Sequence, residues 1–351
     1  MITLEQLIEE LKNYDGKPIK IMEVCGTHTS SIFKHGVRSL ISPKLELISG
    51  PGCPVCVTNA KYIDKLVEYS HRENYCVLTF ADMLKVKGST VSLADAKASG
   101  GKVRMLYSPL SAVRMAQEEP GTHFVIAAVG FETTTPIYAL IMDEVIKQGI
   151  KNIQLLTSIK TIFPALTYIC ENEEGIDAFL CPGHVSVITG SRIYEELVNK
   201  YHKPFVIAGF EGEHILAAVY EIVNQRKNNS YRVKNLYPSV VGEDGNEKAK
   251  ELVATYFEAV DEDWREIGRI EASGLRLREQ YRNYDGGSTF SADQAQSPKG
   301  CRCREVILGR IHPVDCPLFH KVCTPVNAIG PCMVSTEGAC GIWYKNGGKR
   351  S

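Results

Sequence analysis

The sequence predicts an α/β protein with two similar doubly wound, mainly parallel-sheet domains and a small, mostly helical third domain held together partly by a metal centre. Three observations lead there. Apolar runs of strand length alternate with helical patterns from Ile19 to Tyr237, as parallel strands joined by crossover helices do. The rhythm echoes itself, with Phe-Val-Ile-Ala and then Gly-Phe-Glu from Phe124 and again from Phe205, and Cys-x-x-His at Cys25/His28 and Cys181/His184. Finally, six of the 12 cysteines crowd between Cys301 and Cys340. Free cysteine behaves as a small core hydrophobe, so a run of it among Pro, Gly and charged residues argues for metal, cluster or disulfide chemistry. A chain of 351 residues is also longer than one core usually serves.

In chain order, Thr3 and Gln6 form a capping box around Leu4, Leu7, Ile8 and Leu11 at helical spacing, which Asp15-Gly16 ends. Ile19 to Val24 reads as a buried strand running into Cys25-Gly26-Thr27-His28, and Leu45 to Ser49 as a second ending at Gly50-Pro51-Gly52-Cys53-Pro54-Val55-Cys56. A helix with Ile63, Leu66 and Val67 on one face precedes strands at Cys76 to Phe80 and Val103 to Tyr107. The pattern restarts with strands at Phe124 to Val129, Ile153 to Leu156, Ala178 to Leu180 and Phe205 to Ala208. These end at Gly130-Phe131-Glu132, Thr157-Ser158, Cys181-Pro182-Gly183-His184 and Gly209-Phe210-Glu211-Gly212. Ligands of open α/β sheets bind at the carboxyl ends of strands, so these polar turns lie where chemistry is done. Beyond Tyr237 we expect a helix over 247–260, an irregular stretch over 264–270 and a Gly/Ser/Asp/Gln-rich linker over 284–299. The expected domains are 17–120, with Cys25 and the Cys53/Cys56 pair, then 121–240, then 241–351 with helix 1–16 packed against it.

Charge excludes several partners. With 40 basic and 41 acidic residues well mixed and a formal charge of −1, no global field points to nucleic acid or an anionic membrane. The runs Gln225 to Asn229 and Lys345 to Arg350 read as solvated surface. Met1 to Gly16 has no apolar core of a secretory signal and no transit-peptide character, and no apolar run is long enough to cross a bilayer. A cytoplasmic address is expected, and in a reducing cytosol metal binding or transient redox pairing is the better use of the cysteines.

Cys53-Pro54-Val55-Cys56 has the spacing that closes a disulfide or shares a metal, in a turn where a helix N-terminus lowers a thiolate pKa. Redox use is favoured there over half a zinc site or two structural thiols. Cys25 sits at a similar strand end, where a thiolate can hold a soft metal or act as nucleophile. His28 beside it is a ligand, a proton donor or a hydrogen-bonded turn residue, and Cys181/His184 carry the same alternatives. Glu132 and Glu211 read as carboxylates lining a crevice or as caps of the helices that follow, and Cys76 and Cys170 as core fillers. The tail spacing C-x-C-x12-C-x6-C-x8-C-x7-C has neither zinc-ribbon knuckles nor ferredoxin runs and leaves the metal open. No G-x-G-x-x-G or Walker loop occurs in the required context, and the C-x3-C-x2-C of radical S-adenosylmethionine enzymes is absent.

Cys25-Gly26-Thr27-His28, Gly50 to Thr58, Gly130-Phe131-Glu132-Thr133-Thr134, Cys181-Pro182-Gly183-His184-Val185-Ser186 and Cys332 to Cys340 together resemble, in order and over nearly the whole chain, the HypD family of hydrogenase maturation proteins. The resemblance implies two α/β domains plus a [4Fe-4S] domain. It implies a scaffold with redox activity, rather than a conventional turnover enzyme, on which iron receives cyanide and carbon monoxide for [NiFe]-hydrogenase. Partners implied are the small chaperone HypC, which shares the iron, and HypE, which delivers cyanide. By the same resemblance Cys25 holds iron, Cys53 and Cys56 are the redox pair beside it, and Cys301, Cys316, Cys323 and Cys340 bind the cluster. Cys303 and Cys332 form a second thiol pair, as in ferredoxin-dependent thioredoxin reductases. Thiolate donors suit such an iron, and His28, Glu132 and His184 are expected as its hydrogen-bond and proton partners. The alternative functions are an iron-sulfur-dependent disulfide reductase and a zinc-stabilised binding protein.

Overall fold

The computed structural model describes residues 2–290 and 299–348. Two compact units interleave along the chain. The first is drawn from the stretches up to Cys53, from Ala165 to Glu247 and from Lys299 onward, and the second from Pro54 to Pro164 and Lys248 to Phe290. The strands, in chain order, are β1 (Ile19–Glu23), β2 (Leu45–Ser49), β3 (Tyr75–Thr79), β4 (Val103–Met105), β5 (His123–Gly130) and β6 (Ile153–Lys160). β7 (Ala178–Pro182), β8 (Phe205–Ala208), β9 (Val233–Asn235), β10 (Phe257–Trp264) and β11 (Gly268–Leu277) follow.

The first unit holds an all-parallel sheet in the order β2-β1-β7-β8-β9. Its inner strands β7 and β8 are buried along their whole length, as strands of a covered parallel sheet are. Ile19, Ile21, Leu180 and Val206 pack against Ile215, Leu216 and Val219 of the helix Gly212–Asn228. Leu7 and Leu11 of the helix Leu4–Lys12 join the same cluster. The capping box that starts that helix is present, with Gln6 N–H donating to Thr3 Oγ1 at 3.3 Å and Thr3 N–H to Gln6 Oε1 at 3.0 Å. Its apolar stripe packs on the Gly212–Asn228 helix, in the same unit as the cysteine-rich tail with which it was grouped.

The second unit has the order β10-β11-β6-β5-β3-β4, parallel from β6 to β4. The doubly wound class therefore holds for both units. The hairpin of β10 and β11 was not legible: the helix expected over 247–260 stops at Tyr256, and the stretch taken as irregular is antiparallel sheet. The acidic run after Phe257 looks helical in isolation, but β6 offers an open edge to which Gly274 and Leu275 pair, and sheet pairing overrides local preference. Trp264 Nε1–H donates to Ser273 Oγ at 2.8 Å and pins the hairpin.

The chain leaves the first unit after Cys53, returns after Pro164, leaves again after Glu247 and is back by Lys299, so the boundaries expected at 120 and 240 fall inside units. Parallel neighbours such as Ile21 and Ala178 lie far apart in sequence, and composition does not record such pairing. Of the two echoes, the Phe-Val-Ile-Ala repeat falls on β5 and β8, one in each sheet, whereas the Cys-x-x-His repeat follows adjacent strands of one sheet. Gln225, expected in solvated surface, is 2% exposed, with its Nε2 on Glu221 and its Oε1 accepting Arg232 N–H. Part of the expected linker, 291–298, and the last residues of the basic run lie outside the described residues. Among the described residues no helix is long and apolar enough to cross a membrane.

Candidate functional site

Because β2, β1, β7 and β8 are parallel neighbours, their carboxyl ends deliver four loops to one edge of the first sheet: Gly50 to Cys53, Cys25, His184 and Gly209-Phe210. Cys25 is the last residue before the helix Gly26–Lys34 and is 5% exposed. Burial pushes its thiol up to about 11, against the His28 and Thr27 amides and the Thr27 hydroxyl, which favour the thiolate. Its Sγ lies 3.8 Å from His184 Nε2. Gly52 packs directly on Cys25: a Cβ there would stand 2.5 Å from the Cys25 Cα. Only glycine permits that approach, and the next residue, Cys53, is joined to Cys56 in a disulfide.

His28 is fully buried, and its Nε2 lies 3.1 Å from the Gly209 carbonyl. A carbonyl only accepts, so Nε2 carries the proton and Nδ1, which has no hydrogen-bond partner among the described residues, keeps its lone pair. Burial lowers the His28 pKa to about 4 and also lowers that of His184, so both rings are neutral near pH 7. Phe210 packs against both, 4.8 Å from the His28 ring and 5.1 Å from the His184 ring.

The tail belongs to the first unit. Cys303 opens the helix Cys303–Ile307, Cys332 lies in a turn at Pro331–Met333 and Cys340 in the helix Ala339–Lys345. All six tail cysteines line one cavity. Cys303 Sγ and Cys332 Sγ are 2.8 Å apart without a disulfide bond, and Ile329 N–H donates to Cys323 Sγ at 3.4 Å. Burial raises the Cys340 thiol, and Cys303, Cys301, Cys323 and Cys316 around it raise it further. Among the described residues no three His, Cys, Asp or Glu side chains converge on a single metal ion. A four-iron cluster takes each thiolate on a different iron, so a ring of thiols around a cavity fits that group. The tail reaches the Cys25 loop directly, since a Cβ on Gly26 would collide with the Glu337 carbonyl.

The remaining candidates are placed elsewhere. Glu132 lies in the second unit, where its Oε1 accepts Ile162 N–H at 2.7 Å. It thus caps the start of the helix Ile162–Asn172, not the helix that follows it, and burial raises its carboxyl to about 7. Glu211 is an exposed partner of His35 at 3.6 Å and caps nothing with its side chain. Cys181 is a fully buried strand residue and Cys76 another, so core filling suffices for both.

A family model named HypD, described as "Hydrogenase formation hypA family", matches residues 2–347. The chain belongs to the HypD family. Hydrogenase maturation factor HypD of Rhodobacter capsulatus is 38% identical over 356 aligned positions, covering 99% of this chain and 94% of the relative. The Escherichia coli (strain K12) protein of the same name is 39% identical, covering 97% and 94%, and that of Azotobacter vinelandii 38%, covering 94% and 90%.

Sequence reading of this HypD-family chain missed three side chains. Glu23, two residues before Cys25, is 1% exposed and accepts from Arg38 at 2.9 Å. Burial raises its pKa against the opposing pull of Arg38. Arg38 in turn lies 4.7 Å over Phe33 and 4.9 Å over Trp343 of the tail, so the guanidinium that pairs with Glu23 also joins the Cys25 strand to the cysteine-rich segment through the Trp343 ring. A carboxylate at the end of a strand and two residues before Cys25 was the available signal. For Phe210 there was none, because a loop phenylalanine reads as core.

Proposed function

We propose that this chain serves hydrogenase maturation as the scaffold on which iron receives cyanide and carbon monoxide, with the iron held at Cys25 jointly with HypC and the cyanide delivered by HypE. The observation that carries this reading is the Cys25 thiol, buried at a helix N-terminus 3.8 Å from a neutral His184, with Gly52 of the Cys53 turn on one side and Glu337 of the tail on the other.

Cys25 is protonated near pH 7, so iron taking its thiolate displaces a proton. His184 Nε2 is placed to accept that proton, and the amides of Thr27 and His28 stabilise the charge left on sulfur. His28 Nδ1 offers a second acceptor in the same buried wall. In the tail, Cys301, Cys316, Cys323 and Cys340 would hold a [4Fe-4S] cluster, which when bound supplies electrons singly. Cys303 and Cys332, already at 2.8 Å, are left to exchange between dithiol and disulfide, as are Cys53 and Cys56.

That same pair of thiol couples favours, as a second reading, an iron-sulfur-dependent disulfide reductase. Infrared spectra of the anaerobically purified complex with HypC separate the two. Cyanide and carbon monoxide stretches are expected in the wild type and absent in Cys25→Ala. Bands that persist in the variant overturn the scaffold reading at Cys25, and bands absent from the wild type favour the reductase.

A further inference from the structure

The second unit contains a lysine that no role above uses. Lys160 ends β6 and is fully buried. Its Nζ donates to Ser158 Oγ at 3.3 Å, Ser158 Oγ–H donates to Thr58 Oγ1 at 3.4 Å, and Thr58 Oγ1–H donates to the Pro54 carbonyl at 2.9 Å. Pro54 lies inside the Cys53-Pro54-Val55-Cys56 loop, and Thr58 N–H also donates to Val55 O. Every link donates toward the loop, so the charge of Lys160, which burial disfavours and the Glu262 and Asp263 carboxylates favour, is carried as aligned dipoles to the peptide group beside the disulfide. The groups facing Lys160 are Glu262 at 3.8 Å, which is itself 3.5 Å from Arg276, with Asp263 and the Trp264 ring beyond.

We infer that Lys160 is a positioning residue for the Cys53/Cys56 couple, acting through Ser158 and Thr58 to favour its reduced form. The inference rests on the redox reading of that pair. A dithiol reductant attacks the disulfide as a thiolate, forming a mixed disulfide and releasing Cys56 as a thiolate. The second thiol of the reductant loses its proton to solvent and displaces Cys53, closing the reductant's own disulfide. The pair gains two electrons, the reductant loses two, and the protons shed by the reductant's two thiols return through solvent to Cys53 and, below its pKa, to Cys56, which above that pKa stays a thiolate. A better stabilised leaving thiolate makes both the exchange and its equilibrium more favourable.

The test is an anaerobic titration of the full chain in mixtures of oxidised and reduced dithiothreitol between pH 6 and 9. Acid quench, alkylation and mass spectrometry of the peptide carrying Cys53 and Cys56 read the couple separately from the other cysteines. Lys160→Met and Ser158→Ala are each expected to shift the equilibrium toward the disulfide, about tenfold for Lys160→Met, the equivalent of one pKa unit on the thiolate. The bend in the pH dependence should move to higher pH, and Lys160→Arg should stay close to wild type. Ser158→Ala keeps the buried Lys160–Glu262 contact, so it tests the relay if the lysine variant does not fold. A couple that titrates normally in the wild type and within twofold of it in both variants overturns the role of Lys160. A wild-type pair that stays a disulfide throughout overturns the redox reading, and this inference with it.

Discussion

Cys25 Sγ and His184 Nε2 meet at 3.8 Å although 159 residues separate them in the chain. They meet because β1 and β7 are neighbours in a parallel sheet, and the loops after such strands share one edge. The thiol is buried and its pKa is about 11. With iron absent, its iodoacetamide labelling at pH 7.5 should be at least roughly a hundredfold slower than in the urea-unfolded chain, since the thiolate fraction is the reactive one. Mass spectrometry of the Cys25 peptide reads the rate, and labelling as fast as in the unfolded chain would contradict the described environment.

Gly26 is the tightest approach between the Cys25 helix and the tail, beside the contact of Phe33 with Trp343. Gly26→Ala places a methyl against the Glu337 backbone, where no side chain can swing aside. Overpacking of this kind costs about 1–3 kcal/mol. A lowered denaturant midpoint together with faster proteolysis after Lys299 is expected, and a midpoint equal to wild type would show that the two segments separate readily.

The six tail cysteines should divide in a cluster reconstitution assay with iron and sulfide. Cys316→Ser and Cys340→Ser are expected to lose most of the broad visible absorption. Cys303→Ser and Cys332→Ser, which alter the 2.8 Å pair, should retain it. Equal losses in all four variants would remove the distinction between ligands and exchange pair.

Glu132 gives a pH dependence with a definite sign. Its carboxyl is raised from 4.5 to about 7 by burial, so between those values the folded chain holds a proton that the unfolded chain has released. Its contribution is complete below about pH 4.5 and is lost as pH rises through 7, a change of about 3 kcal/mol at most. Glu132→Gln keeps an oxygen for Ile162 N–H and cannot ionise. The stability difference between variant and wild type should therefore grow in favour of the variant from pH 5 to pH 8, read from urea midpoints, and a flat difference would mean the carboxyl ionises freely.

Local signals carried much of this protein. The capping box at Thr3, the apolar strands and the position of Cys25, Cys53 and His184 at strand ends are written in short stretches, because caps, strand runs and turns depend on neighbours a few residues away. The β10–β11 hairpin was lost because β6, more than a hundred residues earlier, supplies the edge that makes it sheet. Lys160 escaped notice because a lysine at the end of an apolar strand reads as a solvent-facing terminus.

Glu23 shows the same division at the site itself: its charge at the end of β1 was visible, its partner Arg38 was not. The sequence by itself determined the alternation of strand and helix, the strand-end positions of Cys25, Cys53 and His184, and the family to which the chain belongs. Only the tertiary structure decided that the tail packs into the first unit, that Phe210 contacts both His28 and His184, and that Glu132 of the second unit caps the helix Ile162–Asn172. The physical reason is that parallel sheets pair strands distant in sequence, so proximity in the site follows from strand order, and strand order leaves no mark on the local pattern of residues.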